Sequence, residues 1–261
     1  MFQRMLTSAL FAGVAAGLIA ALLHFAFVQR LILLGEQYET GELTHFTAGS
    51  SGAEALVAPH SHDVADNGQI VAGQDAAEQD TQSHDAHSHG AGEEASTLKR
   101  NSLTVLFMVL IYTSYGMLLT AGFGLMASLG YQIGPKEGVL WGVAGYIAFQ
   151  LAPAIGLAPE LPGTIGADLG ARQIWWWSTV ACTATALGLL AYGRQVWTFV
   201  LAGGLLALPH VIGAPQPEAF FGVAPPELAA TFSARVLGVA LIVWACLGAM
   251  AGHFWSKQPI A

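Results

Sequence analysis

The sequence predicts an all-α integral membrane protein, a bundle of about six transmembrane helices (five possible) with one long disordered loop. Three observations predict it. Of the 261 residues, 54% are hydrophobic and only 10% are charged, against about 25% charged in an ordinary soluble domain. The apolar residues are gathered into runs close to the length of about 20 residues that a helix needs to cross hydrocarbon. The charges are gathered as well, since 12 of the 17 acids lie between Glu36 and Glu94. A mean hydropathy of +0.54 therefore averages very apolar segments with one wet, acidic insert.

Hydrocarbon offers the backbone no hydrogen-bond partner, so apolar runs of this length are read as helices, which satisfy their own N–H and C=O groups. The first runs from Met5 to Leu34 within a first segment 1–34, and the acidic insert occupies 35–101. The region 102–261 then holds about five further spans: Ser102 to Ser128, Gly138 to Leu157, Trp175 to Tyr192, Val196 to Gly213 and Thr231 to Phe254. The fourth and fifth are short and are separated only by Gly193, Arg194 and Gln195. Arg4 ahead of a long apolar run resembles a secretory signal, but the run exceeds the apolar core of such signals, so a retained anchor helix is expected. Gly13/Gly17, Gly138/Gly142 and Gly248/Gly252 are each spaced as GxxxG, which allows helix backbones to approach closely. Cys182 and Cys246 sit in apolar runs without CxxC spacing, so no disulfide framework follows.

An even number of spans puts both ends of the chain on one side. Basic residues in short connections favour the inner face. Arg4, Lys136, Arg194 and Lys257 then lie inside with Glu137 as their one acid, while Lys99 and Arg100 argue the other way. The expected localisation is thus a multi-pass protein of a bacterial inner membrane, N-in and C-in, with the acidic loop outside the cytoplasm. Trp175, Trp176 and Trp177 fall at the outer interface in this arrangement, where amphipathic rings are favoured. The net charge of −8 excludes nucleic acid as a partner, because phosphate neutralisation needs clustered Lys and Arg.

Between Gly35 and Leu98 the composition turns to Gly, Ala, Ser, Gln, Asp, Glu and His, too polar to offset chain entropy by burial. Disorder is expected there. Six of the nine histidines are in this stretch: His45, His60 and His62 in HSHD, and His84, His87 and His89 in SHDAHSHG. Neutral imidazole is the commonest metal ligand and suits zinc, copper, nickel and cobalt. His-rich tracts are a compositional sign of metal binding. A solvated linker in which His is one more polar residue is the plainer reading.

Ionisable groups within or beside spans are functional hypotheses because they are costly there. Such groups are His24 in the first span, His210 near the end of the fifth and His253 near the end of the sixth. Two further segments look alike: LAPAIGLAPELPG at 151–163 and LPHVIGAPQPE at 208–218. Each breaks a helix with Pro and Gly and then presents a carboxylate, Glu160 or Glu218. Interrupted helices in corresponding positions point to transporter sites, where freed carbonyls line a cavity; otherwise Pro and Gly simply end helices at the interface. His24, Glu160, His210 and Glu218 are the expected transport pathway. HExxH, GxSxG and Walker A spacings do not occur in the sequence, so no enzyme and no prosthetic group is expected.

These segments resemble the CbtA family of cobalt transporter subunits. The resemblance rests on MFQRMLTSALFAGVAAGLIAALLH, the following GEQYE, PAIGLAPELPG, the WWW at 175–177, LPHVIGAPQPE and APPELAA, and covers residues 1–40 and about 102–255. It implies an inner-membrane protein of cobalt uptake for cobalamin biosynthesis, paired with a small one-span CbtB-like protein bearing a His-rich tail. That family is described with five spans, and the long His-rich loop departs from its framework. The function expected is uptake of a divalent transition metal, cobalt with nickel close behind, captured by the outer loop. A non-transporting metal-binding or metal-sensing membrane protein is the alternative.

Overall fold

The computed structural model describes residues 2–45 and 89–258. The chain divides into two units, Met1–His45 with Ser102–Ala261, and Phe46–Asn101; the bundle described below is the first. Six helices carry the described residues: α1 Phe2–Glu39, α2 His89–Ser128, α3 Pro135–Gly156, α4 Leu169–Tyr192, α5 Val196–Ile212 and α6 Pro226–Lys257. No β-strand occurs among the described residues, only an isolated bridge between Thr164 and Gly222.

Five of these helices, α2 through its residues Ser96–Ser128, are long and apolar enough to cross a membrane. The exception is α5, with 17 residues. At a rise of about 1.5 Å per residue it spans about 25 Å, against about 30 Å of hydrocarbon. The fifth expected span is thus a helix of marginal length, and the short fourth run gains a turn and a half from Leu169 to Ile174.

Helical order also reaches into the expected loop from both sides. The first helix continues to Glu39 and the second begins at His89, whereas the sequence predicts loop from Gly35 through Asn101. Glu, Gln, Lys and Arg are good helix formers when exposed, so a helix already nucleated by an apolar span can be extended by polar residues.

Successive helices run antiparallel. Gly13 and Gly17 of α1 lie on the backbone of Thr113 and Val109 of α2, leaving no room for a Cβ at either glycine. Arg4 donates from Nε to the Trp255 carbonyl at 2.8 Å and lies 4.2 Å over that ring, which brings the start of α1 to the end of α6. Thr7 and Gln258 bond each other at the same place. Connections 129–134 and 193–195 belong to this end, and 157–168 and 213–225 to the opposite, polar end.

The tightest seam joins α3 to α6. A Cβ on Gly138 would fall on the Gly248 carbonyl, one on Gly142 on the Trp244 carbonyl, and one on Gly252 on the Gly134 carbonyl. The three GxxxG pairs singled out within the apolar runs therefore mark real close approaches. Around this seam an aromatic core fills the bundle. Trp244 and Trp255 are 1% exposed and Phe123 is fully buried; Tyr115 meets Trp244 at 4.6 Å between ring centroids, and Phe149 stacks on it at 5.8 Å.

Two spans are interrupted by a π-turn. In α3 it covers Ile147–Leu151, just before Pro153, which lacks the N–H that would bond the Phe149 carbonyl and crowds it sterically. Widening the turn absorbs that defect. In α1 the π-turn is His24–Val28, and Arg235 of α6 donates from Nη1 to the Phe27 carbonyl at 3.2 Å, a side-chain intrusion of the kind that perturbs a helical ladder. The helix ends are capped locally. Asp168 accepts from the Ala171 N–H at 2.9 Å, Glu137 accepts from the Gly134 N–H at 2.9 Å, and α5 stops at Gly213 with φ +86°.

The seam can be tested directly. Gly138→Leu or Gly142→Leu should destabilise the detergent-solubilised protein by about 1–3 kcal/mol or more, as overpacking does, with a lower thermal midpoint. Gly203→Ala, where nothing lies within 4 Å, should be neutral or stabilise by about 0.5–1 kcal/mol through helix propensity.

Candidate functional site at the polar end

At the polar end three chain segments are knit together. Connection 157–168 meets 213–225 through the Thr164–Gly222 bridge and the Ile165 N–H donated to the Phe221 carbonyl at 3.0 Å. Ser233 of α6 donates to the Pro159 carbonyl at 2.6 Å. Gly35 of α1 packs on Leu161 and Pro162, and Gly163, with φ +78°, lies against Val223 and Glu39. Leu161 is buried with Val28, Leu31 and Phe232 in a small apolar cluster beneath these loops.

Within this end lies an open pocket of about 450 Å³. Its apolar wall includes Phe149, Pro153 and Leu157 from the Pro-broken end of α3, with Trp176 and Trp177 from α4. Its polar groups are Gln150, Glu160, Arg172 and Gln173. Glu160 and Arg172 form an ion pair at 3.1 Å, each about a third exposed. Gly166 lies against the guanidinium, where a side chain would collide with it. The pocket therefore offers a carboxylate and two amide oxygens, with a cation held against the carboxylate.

Beside the pocket stands Trp175, 7% exposed. Its Nε1 donates to the Pro209 carbonyl at 3.0 Å, and its ring lies 6.1 Å from that of His210. It also packs on Gly156, where a Cβ would meet the indole. The tryptophan thus fixes the α4–α5 hairpin against the end of α3. On the α4–α5 side an apolar groove of about 870 Å³ includes Trp175, Cys182 and Pro209.

The four expected pathway residues fall at different places around the bundle. Glu160 lines the pocket. His210 is half-buried in the last turn of α5, next to Trp175. Glu218 is exposed in 213–225. His24 opens the π-turn of α1 and meets Phe25 edge-on at 5.8 Å. His253, at the other end, meets Phe254 in the same way.

Of the expected loop ligands, His45 is described and exposed. His60, His62, His84 and His87 lie outside the described residues, as does the side chain of His89, the first residue of α2. Among the described residues no group of three or more His, Cys, Asp and Glu side chains converges to hold a metal ion. Sequence reasoning missed Arg172, Gln150 and Gln173 as neighbours of Glu160. Arg172 and Gln173 sit just before the Trp run, and Gln150 lies three residues before Pro153, where the proline-induced π-turn was the available signal.

The fold and this site define a multi-pass helical membrane protein with a polar pocket at one end of the bundle. The chain belongs to the CbtA family, described as a probable cobalt transporter subunit, whose model matches residues 2–256. That description makes cobalt the cargo of the complex and implies a further subunit. No curated protein and no solved structure matches the chain.

Trp175→Phe removes the bond that ties α4 to α5 and should cost about 1 kcal/mol, the net worth of one such hydrogen bond. Thermal unfolding reads the loss, and faster maleimide labelling of Cys182 in the groove reads the loosened hairpin.

Proposed function

We propose that this chain takes cobalt across the inner membrane toward the cytoplasm, using the polar-end pocket as the point of entry. The observation that carries the reading is the Glu160–Arg172 pair set in a pocket at the Pro-broken end of α3. A divalent cation entering there competes with Arg172 for the carboxylate. Gln150 and Gln173 supply neutral oxygens that replace part of its hydration shell, and the released guanidinium swings toward water. His210 beside Trp175 and exposed Glu218 flank the entry, and His24 lies at the interrupted turn of α1. His45, His60, His62, His84, His87 and His89 raise the local metal concentration from the loop. Nickel, chemically close to cobalt with imidazole and oxygen ligands, is a competing cargo, and a small one-span His-rich protein is the proposed partner subunit.

The inward direction rests on an N-in orientation, in which Arg4, Lys136, Arg194 and Lys257 lie on the cytoplasmic side with Glu137 as their one acid, while the basic groups of the polar end, Arg30, Arg172 and Arg235, lie among its carboxylates. The polar end and the His-rich loop then face outward, where metal arrives.

Accumulation of radioactive cobalt in an uptake-deficient strain, with the small partner co-expressed and nickel as competitor, tests this. Glu160→Gln should raise the apparent KM about 10-fold or more, the cost of losing a charged ligand worth about 1.5–3 kcal/mol. Arg172→Gln should lower it, because the competing cation is gone, while His210→Ala should reduce uptake. Deleting residues 46–88 should raise KM and leave maximal uptake in place. If the intact chain, inserted with its partner, accumulates no cobalt yet still binds it, the protein buffers or senses metal instead.

A further inference from the structure

Where α1 passes α6 near the polar end, a second pocket of about 520 Å³ is lined by Arg30, Leu31, Leu33, Leu34 and Gln37 of α1 and Arg235 of α6. We propose that it binds the phosphate group of an anionic phospholipid. Two guanidinium groups from different helices line one pocket, and no carboxylate is among its lining residues. Two other arginines differ from these: Arg172 is paired with Glu160, and Arg4 lies over Trp255. Arg235 is aimed by its bond from Nη1 to the Phe27 carbonyl in the π-turn, which leaves its other N–H donors for a ligand. Arg30 lies one turn further along the same helix, exposed as Arg235 is.

A guanidinium matches phosphate oxygens bidentately and is weakly hydrated enough to do so at an apolar boundary. An unpaired cation at the end of a span is costly, and a lipid phosphate offsets that cost without a protein acid. Leu31, Leu33 and Leu34 supply an apolar wall for the adjoining acyl chains. That wall favours a lipid over a free anion, which has nothing to place there. The ligand would also pin α6 to the interrupted turn of α1, the turn that begins with His24.

Native mass spectrometry of the full chain in detergent tests the site, titrating phosphatidylglycerol, phosphatidylcholine and, separately, inorganic phosphate. The intact chain should retain phosphatidylglycerol in preference to phosphatidylcholine. The R30Q/R235Q variant should lose affinity about 10- to 30-fold, the effect of two basic groups near a lipid surface. R30K/R235K should keep most of the binding, and R194Q, a change in the exposed 193–195 connection, should bind as the intact chain does. If R30Q/R235Q fails to fold, R30Q alone gives the same readout with a smaller loss. Retention of phosphatidylglycerol by the Gln variants at the intact level overturns the proposal, as does equal binding of phosphatidylcholine. Arg-dependent binding of inorganic phosphate without phosphatidylglycerol binding overturns it too, assigning the pocket to a soluble anion.

Discussion

The backbone contact between α3 and α6 is the constraint on which the rest of this bundle depends. In lipid, helices gain little from burying apolar side chains against one another, and association relies on close packing and polar contacts. Gly138 and Gly142 let the Gly248 and Trp244 carbonyls come against α3, and Gly252 does the same toward Gly134. This approach sets where Trp244 and Trp255 stand, and through them the packing of Tyr115, Phe123 and Phe149. The second close seam, Gly13 and Gly17 against α2, holds α1 in the same bundle. With α1, α2, α3 and α6 so fixed, α4 and α5 attach as a hairpin, and α5 keeps much of its surface exposed.

The polar end follows from helices that stop or widen early. Pro153 costs α3 a backbone bond, and the π-turn at Ile147–Leu151 takes up the mismatch. That turn carries Phe149 into the aromatic core and Gln150 to the pocket. Pro209 stands inside α5 without a π-turn, and its carbonyl is held by the Trp175 indole. Backbone irregularity at membrane depth is tolerated where protein or a wet cavity surrounds it, and the α3 turn, beside the pocket, meets that condition.

Charged groups of both signs gather at this end. Glu160 and Glu218 lie on the connections around it, Glu227 stands in the first turn of α6, and Glu36 and Glu39 close α1 there. The basic groups at the same end have separate positions. Arg172 stands against Glu160, while Arg30 and Arg235 line a pocket between α1 and α6. A carboxylate paired with a guanidinium is already neutralised, so any further cation there has to displace Arg172. The π-turn of α1 serves both neighbourhoods, since it begins with His24 and offers its Phe27 carbonyl to Arg235.

Much of this was legible in the residues themselves. Long apolar runs dictate helices because hydrocarbon leaves the backbone no other partner, so the approximate positions of the helices follow from those runs, while five or six spans both fitted them. The GxxxG pairs marked the close seams correctly, because only glycine leaves room for a facing backbone. The breaks at 151–163 and 208–218 were visible as Pro and Gly, and Glu160 was singled out with them. Partners, however, are contacts between distant parts of the chain. Nothing in the spacing of Glu160 and Arg172 required an ion pair, and nothing joined Arg30 to Arg235, which are brought together by the antiparallel packing of α1 on α6. Helix ends were also decided beyond the apolar pattern, since exposed Glu, Gln and Lys extend a helix that an apolar span has already nucleated. Sequence by itself determined which segments are helical and where their backbones can touch; tertiary packing alone decided which polar side chains share a pocket, because that depends on the rotation and register of one helix against another.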